Sequence, residues 1–132
     1  MNHSCLHWGH FNGEDWNKHR VIDSHVPDMD RAGGHTFSFV WDQPEHGDGG
    51  KMVWYLDERA VMKASIPPGT RRMKDFRIIA NVAIGGNVCG GKVPGDGSYE
   101  LIVHELAFLD APPRGWKTFE EDFRRAAEGH TS

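Results

Sequence analysis

Gly34-His35-Thr36-Phe37-Ser38-Phe39-Val40-Trp41, then a polar break, then Lys51-Met52-Val53-Trp54-Tyr55-Leu56-Asp57-Glu58: these two stretches decide the fold class. From Thr36 to Trp41 the residues alternate, placing Phe37, Phe39 and Trp41 on one face and Thr36, Ser38 and Val40 on the other, the period of a β-strand. Gln43 to Gly50 interrupts with Pro44 and three glycines, and Met52 to Leu56 resumes as the second strand of a hairpin. Asp57-Glu58 is the next turn, and Ala60 to Met62 returns as a third strand.

Outward from this hairpin the pattern stays β-rich. Ser4 to Trp8 alternates, with Cys5, His7 and Gly9 on one face and Leu6 and Trp8 on the other. Residues 11–31 read as a long polar loop with one short strand around Arg20 to Ile22. Ile66-Pro67-Pro68-Gly69 is a turn, because helix interiors and central strands exclude such a run. Phe76 to Ile84 is almost continuously apolar and is expected as a central strand buried on both faces. Gly85 to Gly97 is a glycine-rich loop, and Tyr99 to Leu109 a long strand. The tail differs: Thr118 with Glu121 fits a capping box, and Phe119, Phe123 and Ala126-Ala127 recur at helical spacing before Gly129. One C-terminal helix outside the sheet region is expected, dividing the chain into residues 1–112 and 113–132.

Composition agrees and narrows the partners. Sixteen glycines, seven prolines, five tryptophans and seven phenylalanines in 132 residues favour short strands joined by turns over a helical bundle. A net charge of −4 with scattered Lys and Arg argues against nucleic acid. The apolar runs stop short of the ~20 residues of a membrane helix. Met1-Asn2-His3-Ser4-Cys5 is polar and shows no secretory leader. Cys5 and Cys89 are either a disulfide or two thiols; their number does not decide which.

Five landmarks stand in order along the chain: Leu6-His7-Trp8-Gly9, His35 to Trp41, Trp54-Tyr55-Leu56-Asp57, Asn81 to Gly86, and Val103 to Phe108. Together they resemble the C-terminal half of glycoside hydrolase family 16, with its Leu-His strand, His-Thr-Tyr-x-Phe-x-Trp strand, Trp-Tyr-Val-Asp-Gly hairpin and Asn-Leu-Ala-Val-Gly-Gly strand. The resemblance implies an all-β, concanavalin A-like jelly-roll β-sandwich, here incomplete, with an open groove for β-glucan. It implies retaining hydrolysis of O-glycosyl bonds, with two carboxylates about 5–5.5 Å apart. It also implies an extracellular setting.

The family carries those carboxylates on one Glu-x-Asp-x-(x)-Glu strand, expected before Leu6-His7, where only five residues stand. Glu14-Asp15 lacks a third carboxylate, Glu45 and Asp48 are wrongly spaced, and Glu120-Glu121-Asp122 falls on the expected helix. No catalytic residue is therefore assigned. Asp57-Glu58 replaces the usual Asp-Gly, and His104 stands where many relatives place an Asp that in some holds calcium, so calcium is not expected. No cofactor is expected.

The substrate-binding candidates are His7, Asn81, Trp41, Trp54 and His35. His7 either hydrogen-bonds a sugar hydroxyl or is an ordinary exposed strand residue. Asn81 donates to sugar or to a neighbouring loop backbone. Trp41 and Trp54 stack on pyranose rings or, as tryptophans on alternating strands more often do, fill the core. His35 opens its strand, a position that favours a structural role. His3, His7 and His10 match no zinc spacing, and Cys5 with His7 lacks a third group to orient a base. Two functions follow from the resemblance, part of a β-glucan hydrolase or a lectin-like binding module; the third reading is a non-functional truncation. Unpaired sheet edges would promote self-association.

Overall fold

A computed structural model describes the chain except for residues 11–12, 47, 83–84, 86–89 and 132. Cys89 and the Ile84 and Gly86 landmarks lie outside the described residues. The chain divides into two units, residues 1–75 with 109–132, and residues 76–108.

The first unit is built of antiparallel sheets and one helix. Strands β1 (Asn2–His7) and β2 (His19–Ser24) pair with His3 opposite Asp23, Cys5 opposite Val21 and His7 opposite His19. Strands β3 (Phe37–Asp42), β4 (Gly50–Leu56) and β5 (Arg59–Ile66) form a meander in the order β3–β4–β5. The hairpin expected from the two opening stretches is thus present, with Phe39 opposite Trp54 and Trp41 opposite Met52. Between β4 and β5 the register steps from Trp54↔Met62 to Tyr55↔Ala60. Two residues then oppose one, a β-bulge that gives Val61 no direct partner.

Alternation along β4 dresses both faces of this sheet. On one face Met52, Ala64 and Ile66 pack with Leu6 of β1, joined by half-buried Trp8, Trp41, Trp54 and Met73. Leu56 and Val61 continue it with Val26, which follows β2. On the other face Val53 and Tyr55 meet Phe119 of helix α1 (Gly115–Arg125). The helix therefore rests on the sheet, with Phe119 1% exposed and Trp116 edge-on to it at 5.6 Å. It starts at Gly115 rather than at the expected capping box. Arg114 is the cap residue and makes no side-chain cap bond, and Thr118 lies inside the first turn. The Lys51–Glu120 ion pair links the helix to β4, and Arg114 pairs with Asp122 within the helical segment, both at 2.7 Å.

Beyond the helix the tail crosses both sheets. The Lys63 amide donates to Ala127 O and the Gly129 amide to Lys63 O, while Val21 and His130 exchange a pair of backbone bonds. The tail thereby bridges β5 and β2, giving neighbours in the sequence β1–β2–tail–β5–β4–β3. Among the described residues, β1 and β3 are the outer strands of that sequence.

The second unit corrects two expectations. Its described residues include neither strand nor helix, although Phe76 to Ile84 and Tyr99 to Leu109 read as strands. Ile79 is 83% exposed, and Ile78, Val82, Leu101 and Ile102 are exposed as well. A strand apolar on both faces needs pairing on its edges and cover on both faces. The described residues of 76–108 supply neither. Within it the Tyr99 hydroxyl donates to Gly95 O at 2.9 Å. No helix among the described residues is long and apolar enough to cross a membrane.

Candidate functional site

The two outer strands of the first unit approach one another around a hollow of about 320 Å³. Strand β1 supplies Asn2, His3, Ser4 and Cys5; β3 supplies Phe37, Ser38 and Phe39; Trp54 and Tyr55 of β4 complete the lining. The wall on the β1 side is polar and ordered. The Asn2 amide donates to Ser4 Oγ at 2.9 Å and to Ser24 Oγ at 3.1 Å, and His3 Nδ1 pairs with Asp23 at 2.6 Å.

The wall on the β3 side is aromatic. Phe37 and Phe39 are 58% and 47% exposed, unusual for large apolar side chains in a strand. The alternation that opens the sequence produces this row. Phe37, Phe39 and Trp41 share the sheet face whose β4 and β5 part lies under β1–β2, and β3 extends past that cover. Phe39 and Trp41 rings are 5.9 Å apart, and His35 stands edge-on to Phe37 at 6.5 Å. Flat apolar rings facing short hydroxyl and amide groups suit a ligand with apolar faces and a polar rim.

Trp41 and Trp54 are half-buried and pack against the Leu6–Met52–Ala64–Ile66 core, with Trp54 also reaching the hollow. Their main contribution is to the core. His35 is a correction. Its side chain is 4% exposed, Nδ1 lies 2.7 Å from Asp57 Oδ2, and Nε2 lies 3.0 Å from Asp28 O. With both ring nitrogens engaged, it has no atom to offer a ligand. It joins the β4–β5 turn to the segment entering β3.

Asp57 is the centre of that junction. It also accepts from the Thr36 amide and from Arg31, each at 3.0 Å. The Thr36 amide above all, then His35 and Arg31, hold its carboxyl down at about 2. The Asp57 hydrogen bond raises the His35 pKa in return. Asn81 is a further correction: it is an exposed residue of the second unit and lies outside any strand, where a central apolar strand was expected. His7 is exposed at the end of β1, is not part of the hollow's lining, and faces His19 with ring centres 5.4 Å apart.

The titratable groups that line the hollow are His3, Cys5 and Tyr55. None of the residues lining the hollow is Asp or Glu. Burial pushes the Cys5 thiol up, away from the reactive thiolate. Tyr55 is pushed up to about 12, by burial first and then by Asp122, so its phenol stays protonated. Asp15 is held low by Lys18 and the His10 amide, which makes it a turn-stabilising carboxylate. Among the described residues no group of three or more His, Cys, Asp or Glu is arranged to hold a metal.

Phe37, Phe39, Asn2 and Ser4 are the site residues that sequence reasoning missed. The alternation already set both phenylalanines beside Trp41. What it did not reveal was that β3 is an outer strand, which leaves the phenylalanines open and covers the tryptophan. No protein-family model, curated protein or solved structure matches the chain.

Proposed function

We propose that this chain is the sugar-cradling part of a β-glucan-acting domain similar to glycoside hydrolase family 16, and that its own activity is binding rather than bond cleavage. The observation that carries the reading is the exposed Phe37–Phe39 row facing the Asn2–Ser4 edge across the hollow. A pyranose ring presents an apolar C–H face that stacks on phenyl rings and equatorial hydroxyls that pair with amide and hydroxyl groups. A hydrolase of the retaining kind needs two carboxylates about 5–5.5 Å apart across the scissile bond. The hollow is lined by none. The five-landmark resemblance adds β-glucan as the polymer and a concanavalin A-like jelly roll as the parent architecture, of which the paired antiparallel sheets here would be a portion.

Calorimetric titration with laminari-oligosaccharides tests this. Saturable binding is expected, weakened at least about tenfold by Phe39→Ala, the loss of one stacking ring plus its apolar contact. His35→Ala is no substitute, because it would break the β3 junction instead. A reducing-sugar assay on laminarin and lichenan should read no turnover. Absence of binding at millimolar oligosaccharide, or turnover by the purified chain, overturns the proposal.

A further inference from the structure

Strand β3 has a strand neighbour on one side only, and its bonding to β4 fixes which backbone groups face the other way. The Asp57 amide donates to Thr36 O at 2.9 Å, one step beyond the Phe37↔Leu56 pair. Thr36 and Asp57 are therefore a hydrogen-bonded pair, and alternation makes Ser38↔Tyr55 and Val40↔Val53 the next ones. Phe37 and Phe39 accordingly turn their N–H and C=O groups outward, away from β4. Phe37, Ser38 and Phe39 are all exposed, so the strand is open on both faces as well as along its edge. Edge strands ordinarily refuse a neighbour with a proline, a lysine or a bulge. The run Phe37–Asp42 contains neither residue, and its register with β4 is unbroken.

We propose that β3 pairs antiparallel with β3 of a second copy of this chain, about a two-fold axis through Ser38. The outward groups set that register: Phe37 of each copy exchanges N–H···O bonds with Phe39 of the other. The exposed phenyl rings then cover one another as direct cross-strand pairs. Ser38 meets its own counterpart at the centre, in a non-hydrogen-bonded pair with Cα atoms about 4.5 Å apart. Charge selects the same partner. Asp42, the one charged residue of the strand, comes abreast of Gly34 of the other copy, whose carbonyl accepts from the Arg31 guanidinium at 2.6 and 2.9 Å. The two Asp42 side chains stay at opposite ends of the ladder, so no like charges oppose. A ladder this short belongs with weak contacts of less than about 1,200 Å², and association between about 10 µM and 1 mM is expected. Sugar stacking uses the same rings, which makes the two events alternatives at one surface. The dimer is measured without sugar, so its failure is distinct from that of the binding proposal.

Sedimentation velocity of the full chain, over a concentration series reaching about 1 mM, tests the pairing on the unaltered protein. A monomer–dimer equilibrium is expected. Ser38→Lys, at an exposed position, sets like charges directly opposite one another at the axis and should weaken association about fivefold. Asp42→Arg should weaken it too, by bringing a cation to Arg31. With Cys5 and Cys89 replaced by Ser, Ser38→Cys should cross-link across the axis on mild oxidation, because the Cα separation of that pair suits a disulfide. Ser65→Cys, exposed on β5, is the control and should not cross-link. A chain that stays monomeric throughout the series overturns the proposal, as does undiminished dimer in Ser38→Lys. Cross-linking of Ser38→Cys no faster than that of Ser65→Cys overturns it as well. So does an open series of oligomers, the product of head-to-tail pairing of β3 with β1.

Discussion

At the residue scale the most constrained group is His35. A carboxylate and a backbone carbonyl can only accept, so a ring that bonds Asp57 through Nδ1 and Asp28 O through Nε2 must donate from both nitrogens and carry a positive charge. The consequences for pH follow with definite signs. The folded-state pKa of His35 is raised, first by Asp57 and then by the Asp28 carbonyl. Its contribution to stability is therefore complete below the unfolded value of about 6.5 and is lost as pH rises through the higher folded value. Asp57 runs the other way. Its carboxyl is lowered from 3.8 to about 2, so its contribution is present above the unfolded value and is lost as pH falls toward 2. Melting temperature against pH should show a plateau between about pH 4 and 6.5, with declines on both sides. In His35→Gln the alkaline decline should shrink; a profile superimposable on the parent's would show that the junction does not titrate. Sequence alone placed His35 at a strand start and leaned toward a structural role. It could not show that Asp57, 22 residues away, would be its partner, because such pairings have no local signature.

At the scale of elements, the hairpins were legible and the unpaired segments were not. The period of two at Phe37, Phe39 and Trp41 and again from Met52 to Leu56 specified β3 and β4, because one face must find cover when a sheet forms. Strand β2 appeared as a short run around Arg20 to Ile22 and extends from His19 to Ser24. Phe76 to Ile84 misled, because continuous apolarity expresses a need for cover without showing that the cover exists. The β4–β5 turn departs from habit in a testable way. Asp57 and Glu58 both take positive φ, 49° and 66°, the type I′ arrangement that ordinarily uses Asn-Gly. Asp57 is retained for its bonds to Thr36, Arg31 and His35, whereas Glu58 is exposed and has a Cβ that the left-handed conformation penalises. Glu58→Gly should therefore stabilise the hairpin by up to about 1 kcal/mol, the left-handed penalty of roughly 1–2 kcal/mol less the added freedom of the unfolded chain. Urea unfolding reads the change. A midpoint that falls would mean that Glu58 makes a contribution outweighing its backbone strain.

At the scale of the whole first unit, stability rests on a feature with no sequence signal. The C-terminal tail joins β2 to β5 through single bridges at His130 and Glu128, too short to leave any periodicity in the sequence. Its passage between the sheets depends on Gly129, which is buried. A Cβ there would meet Arg20 Cβ at 2.8 Å, Met62 Sδ at 3.1 Å and the Val21 amide nitrogen at 3.3 Å. Met62 is fully buried and has little room to yield, and Arg20 is engaged by His19 O at 2.6 Å and Thr131 Oγ1 at 3.0 Å. Gly129→Val should accordingly force the tail outward and cost about 1–3 kcal/mol, the usual penalty of overpacking. The loss should be shared by both sheets, since the Val21 and Lys63 amides donate to the same strap, at His130 O and Ala127 O, each at 2.8 Å. Hydrogen exchange at these two amides should accelerate together in Gly129→Val, while the Trp54 amide, on the central strand β4, keeps its protection. If Val21 and Lys63 exchange at parental rates, or only one accelerates, the tail does not couple the sheets. The approach of β1 and β3 around the hollow would then depend on the Leu6–Met52–Ala64–Ile66 core alone.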